Sequence, residues 1–148
     1  MRWTILRLTA AMLIFPIAVQ AQSHLSLPEG PLIDTEWHLV SFMPNDEALP
    51  EYAPPRGVPY KMFLQKEGRA RFQFDCNRAS GVWSSFDTDD NRGTVTFGPL
   101  VKSNKDCDTK PFDQEIADDT RNMTGYRLWG GLLYIQSERG TYLWHWLE

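Results

Sequence analysis

Two cysteines, Cys76 and Cys107, and three histidines, His24, His38 and His145, are the side chains of this 148-residue chain best suited to nucleophilic, redox or metal chemistry. The cysteines lack the Cys-x-x-Cys spacing that poises a thiolate. Without a matching histidine pair they cannot complete a tetrahedral zinc site either. A Cys–His nucleophile would require one of the sulfurs to be free. If instead the two are joined, the bond would tie the end of one strand to the approach of a helix and contribute about 3–4 kcal/mol on the chain-entropy estimate. The first reading is therefore a structural staple, and the competing one is a thiol-dependent enzyme or redox protein that uses Cys76 or Cys107.

The N-terminus bears on that choice because it carries an export pattern. Arg2 and Arg7 supply a positive region, residues 8–19 are almost uncharged and apolar, and Val19-Gln20-Ala21 offers a site of the kind a signal peptidase accepts. The apolar stretch is shorter than the roughly 20 residues of a membrane span. No cysteine follows it to take a lipid. The expectation is a signal peptide over residues 1–21, a flexible mature N-terminus over 22–31 that holds His24, and one domain over 32–148. The mature form would be periplasmic, with no membrane span or lipid anchor, in a compartment where thiols oxidise. The formal charge of −4 becomes more negative once Arg2 and Arg7 are removed. That balance excludes a nucleic-acid partner and disfavours docking to anionic lipid.

Other candidate chemistry falls away on inspection. His38 and His145 each lie within a strand, flanked by apolar residues. Asp87-Thr88-Asp89-Asp90-Asn91 resembles a calcium loop, but its glycine arrives one position late at Gly93, and Gly98 stands where a bidentate glutamate is needed. A solvated hairpin is the better reading. Asn122-Met123-Thr124 fits a glycosylation acceptor, which matters only in a eukaryotic secretory route. There is no phosphate-cradling glycine loop, nucleophile elbow or acid/base carboxylate pair. No catalytic residue, metal or cofactor is assigned, and a non-enzymatic protein is expected.

The elements that would position these residues are mainly strands. Short aromatic-rich runs at 36–42, 60–65, 68–74, 80–86, 94–98, 126–129, 132–137 and 141–146 are separated by Gly, Pro, Asn and Asp. In the third run Ala70, Phe72 and Phe74 alternate with Arg69, Arg71 and Gln73, which marks a sheet with one dry face. The proline-rich segment between the first two runs reads as a loop. Hairpin turns are expected at 89–93 and 138–140, with Gly or Asn supplying positive φ. A single helix is expected, capped by Asp108 or Thr109, with Pro111 in its first turn and Gly125 closing it. Phe112, Ile116 and Met123 would form its apolar stripe. The fold class is mainly β (α+β): a small antiparallel β-barrel-like domain with one packed helix. Trp83, Trp144 and Trp146 are candidates to line a cavity for an apolar ligand or partner peptide, with Trp144 and Trp146 on one strand face.

These runs carry a family resemblance. Asp34-Thr35-Glu36-Trp37-His38-Leu39-Val40-Ser41-Phe42 resembles the opening strand of META-domain (HslJ-like) proteins. Phe74-Asp75-Cys76-Asn77-Arg78-Ala79-Ser80-Gly81 is similar to that family's Gly-Cys-Asn-Arg/Ser-x-x-Gly signature, with Asp75 in place of the glycine. Thr96-Phe97-Gly98-Pro99-Leu100, Cys107, the helix and the closing hairpin follow in order across residues 32–148. The segment Lys102-Ser103-Asn104-Lys105-Asp106 departs from the pattern. The resemblance implies an exported envelope protein linked to stress responses, of unassigned biochemical role. It carries no catalytic residue, and Asn77, Arg78 and Gly81 would be turn-forming and structural. The partner would be an unknown envelope protein or an apolar ligand.

Overall fold

A computed structural model describes residues 30–107 and 112–146. The expected signal peptide, His24 and the expected helix-capping residues Asp108, Thr109 and Pro111 lie outside the described residues. Among the described residues nine strands run in the order β1 (Thr35–Pro44), β2 (Tyr60–Leu64), β3 (Arg69–Phe74), β4 (Asn77–Asp89), β5 (Arg92–Phe97), β6 (Val101–Lys102), β7 (Gly125–Trp129), β8 (Leu132–Gln136) and β9 (Gly140–Trp146). All their pairings are antiparallel. Eight of them close a ring: β1 pairs with both β2 and β9, and β3 pairs with β4. Closure leaves no long unpaired edge. The short β6 lies outside the ring, paired to Ala79 and Ser80 of β4.

β4 makes closure possible. Its first half pairs with β3 from Arg69↔Val82 to Phe74↔Asn77, and its second half with β5 from Trp83↔Phe97 onward. An eight-stranded barrel is just wide enough for its own side chains to fill. Here Trp37, Met62, Leu64, Phe72, Phe74, Trp83, Val95, Leu133, Ile135 and Trp144 meet in one buried cluster. A bulge at Val40 shifts the β1–β9 register so that Phe42 faces inward opposite Tyr142, with ring centroids 4.5 Å apart.

Helix α1 (Phe112–Asp119) plugs the end of the barrel where β1 finishes and β2 begins. Phe112 stacks on Tyr52 at 3.5 Å and contacts Tyr60 and Phe42. The stripe expected from sequence is buried at Phe112, Ile116 and Met123. The helix nevertheless ends earlier than expected: a 3-10 turn, Thr120–Asn122, follows it, Met123 is extended, and Gly125 opens β7. Asp119, the last residue of the helix, is buried and turns its carboxylate toward the barrel. It accepts hydrogen bonds from Tyr142 (2.8 Å), Ser137 (2.6 Å) and Asn122 (3.0 Å).

The turn glycines also act differently from expectation. Gly93 and Gly140 sit in strands without positive φ, and are needed for close approach: a Cβ at Gly140 would fall 2.2 Å from the Met43 carbonyl oxygen. Positive φ occurs instead at Gly130 and Gly131, the two-residue turn between β7 and β8.

Two buried phenols give the barrel an alkaline limit. Burial, then the bond to Asp119, raises the Tyr142 phenol above its ordinary range; burial, then the 2.6 Å bond to Asp87, does the same for Tyr126. A group whose native pKa is raised contributes stability that is whole below its unfolded value, about 10 for tyrosine, and is lost as pH rises toward the native one. Stability should therefore fall from about pH 10 upward. Phenolate absorbance from Tyr126 and Tyr142 should appear only as the barrel unfolds. Five tyrosines titrating together near the ordinary phenol value in folded protein would contradict this.

Candidate functional site

The two ends of the barrel differ in chemistry. At the helix end, Cys76 and Cys107 form a disulfide across a sequence separation of 31, with Cα atoms 5.7 Å apart. Among the described residues no cysteine is free, so neither sulfur is available as a thiol. Asp75 and Cys76 make the two-residue turn, and Asp75 adopts φ 55°, the left-handed region that glycine favours and aspartate tolerates.

Asn77, expected in a turn, is the first residue of β4 and fully buried. Its amide nitrogen donates to Asp113 Oδ2 (2.8 Å) and the Lys105 carbonyl (3.2 Å), and lies 2.9 Å from Cys107 Sγ. Its oxygen accepts from Ser103 Oγ (3.0 Å) and the Lys105 N–H (2.8 Å). One side chain thus fastens the segment leading to Cys107 and the start of α1 onto β4. Arg78 points to solvent, and its N–H donates to Ser103 Oγ. Gly81 also lies within β4, where a Cβ would meet Leu100 at 2.8 Å and the Pro99 carbonyl at 3.0 Å. Asn77, Arg78 and Gly81, expected to form a turn, instead all lie within strand β4.

The opposite end carries the exposed aromatic surface. A groove of about 310 Å³ is lined by Pro31, Trp37, Leu128, Trp129, Leu132 and Trp146, with Thr35, Asn91 and the Gly130-Gly131 turn completing it. Trp129 and Trp146 remain 64% and 52% exposed. Thr35 Oγ1 accepts from the Trp37 indole N–H at 2.7 Å and fixes that ring in the floor. The Leu128 N–H donates to the Asn91 carbonyl at 2.6 Å, binding β7 to the β4–β5 turn. An adjoining polar cleft of about 440 Å³ shares Asn91, Leu128 and Trp129 and adds Asp89, Asp90, Arg92 and Arg127. The calcium-like run lies here as the expected hairpin: Asp89 accepts from the Asn91 N–H at 2.9 Å and pairs with Arg92 at 2.6 Å.

Of the three tryptophans that the sequence offers as ligand-lining, Trp146 alone reaches the groove. Trp83 and Trp144 are 4% and 0% exposed because the interior is filled. The Trp83 indole N–H donates to the Gln65 carbonyl at 2.9 Å, while that of Trp144 finds no acceptor. Trp129, which sequence reasoning passed over, supplies the larger exposed ring. The Gly130-Gly131 pair beside it was the available signal, since a tight turn lifts its flanking residues to the rim.

This architecture, a closed eight-stranded antiparallel barrel plugged by one helix, defines the class of fold. The chain is similar to two solved structures. An NMR structure of a protein from Burkholderia xenovorans aligns over 97% of this chain and 99% of its own, with TM-score 0.61 and 19% identity. A crystal structure of a DUF4847 family protein from Bacteroides vulgatus aligns over 76% of this chain and 92% of its own, with TM-score 0.52 and 15% identity. Identities this low establish a shared fold alone. No protein-family model and no curated protein matches the chain.

Proposed function

We propose that this is an exported, non-enzymatic envelope protein of META-domain type that binds a short apolar peptide segment of a partner in the groove at the open end of the barrel. The observation that carries the reading is the contrast between a filled interior and two half-exposed tryptophans beside an apolar groove. Exposed Trp in a concave site is the residue type that anchors protein partners. A lipid chain needs enclosure of most of its surface, which a side-chain-filled barrel does not offer. A groove of about 310 Å³ suits two or three partner side chains instead. The residues 1–21 pattern and the disulfide support an oxidising, periplasmic address. Among the described residues no helix is long and apolar enough to cross a membrane.

The test is tryptophan fluorescence and native mass spectrometry of the mature protein with apolar decapeptides and, separately, palmitate. A peptide-dependent shift is expected, weakened at least tenfold by Trp129→Ala or Trp146→Ala with the far-UV spectrum unchanged. A response to palmitate alone would overturn the peptide occupant. No response to either would overturn the groove as a binding site.

A further inference from the structure

On the outer face of the barrel, His38 of β1 and His145 of β9 stand directly opposite one another. Their ring centroids are 5.4 Å apart, with planes inclined at 45°. Each ring already has one nitrogen engaged by an oxygen: His38 Nε2 lies 3.0 Å from Glu36 Oε1, and His145 Nδ1 lies 3.2 Å from the Trp146 carbonyl oxygen. A carbonyl or an ionised carboxylate only accepts, so these nitrogens carry the hydrogens. In the neutral rings, His38 Nδ1 and His145 Nε2 then hold the lone pairs. A histidine whose second nitrogen donates to a carboxylate or carbonyl is the arrangement that fixes imidazoles as metal ligands.

The separation also fits. With metal–nitrogen bonds of about 2.0–2.1 Å, two imidazoles at a tetrahedral angle place their ring centres about 5 Å apart. We propose that His38 Nδ1 and His145 Nε2 form a two-imidazole site for a divalent transition-metal ion, zinc or copper, with water in the remaining positions. Glu36 orients the His38 ring. Lys61, opposite His38 across the β1–β2 ladder, has its ammonium 3.1 Å from the same Glu36 oxygen and so is engaged by that carboxylate. The site lies on the barrel wall and is independent of the groove: Trp37 and Trp146, the sequence neighbours of the two histidines, line the groove.

The experiment titrates untagged full-chain protein carrying His24→Ala, so that the N-terminal segment supplies no histidine, with zinc chloride by calorimetry and copper(II) chloride by tryptophan quenching. One ion per chain is expected. His38→Ala and His145→Ala should each weaken binding at least tenfold while the far-UV spectrum is retained. His38→Gln and His145→Gln provide the same comparison should either alanine variant fail to fold. Absence of saturable binding, or equal affinity in parent and His145 variants, would overturn the site.

Discussion

Replacing Asn77 with alanine is expected to destabilise the barrel by about 4 kcal/mol, read from urea unfolding midpoints and slopes. The figure follows from the side chain's position. Asn77 is fully buried and satisfies Asp113, Lys105 and Ser103 at once. Each hydrogen bond contributes about 1 kcal/mol, and leaving Asp113 buried without its amide donor costs more than a neutral loss. Asn77→Asp should be at least as damaging, because it faces one carboxylate with another across a 2.8 Å contact. A loss below about 1 kcal/mol would mean that water replaces the amide, contrary to its burial.

Removing the disulfide by Cys76→Ala with Cys107→Ala should destabilise by about 3–4 kcal/mol, the entropy returned to the unfolded chain when the loop is opened. Because that term resides in the unfolded state, the far-UV spectrum of the folded variant should match the parent. The bond and Asn77 hold the same segment, with Cys107 Sγ 2.9 Å from the Asn77 amide. Their effects should therefore couple. A cycle of the cysteine pair, Asn77→Ala and the combination should depart from additivity by about 0.5–3 kcal/mol. Strict additivity would show two independent fastenings.

Much of the barrel is legible in the sequence because each wall has one dry face. The alternation of Ala70, Phe72 and Phe74 with Arg69, Arg71 and Gln73 appears directly as buried and outward positions of β3. The first three residues of β4, Asn77-Arg78-Ala79, are not legible as strand, since the run that opens on Asn77 has the composition of a turn. Ladder pairing to β3 and β6 overrides that weak local preference. β6 has two residues and leaves no periodicity to detect. Gly125 resembles a helix cap in sequence, whereas the helix ends at Asp119, whose carboxylate accepts from Tyr142 and Ser137.

The groove was legible at Trp146 but not at Trp129. Alternation shows which rings share a face, but not which of them the barrel wall covers. The His38–His145 pairing requires the β1–β9 register. That register includes an extra residue at Val40, invisible to period-two reasoning.

Ring closure between β1 and β9 has a consequence for the order in which the molecule can be built. A chain emerging N-terminus first presents β1 early, yet β1 and β8 each wait for β9, so two ladders form only after the last strand arrives. Both cysteines precede β7, β8 and β9 in the chain, so the stapled segment is complete before the wall can close. Interruption between β8 and β9 leaves an open sheet with the edges of β1 and β8 bare. β9 thus completes two ladders at once, and the wall stays open until it docks between β1 and β8.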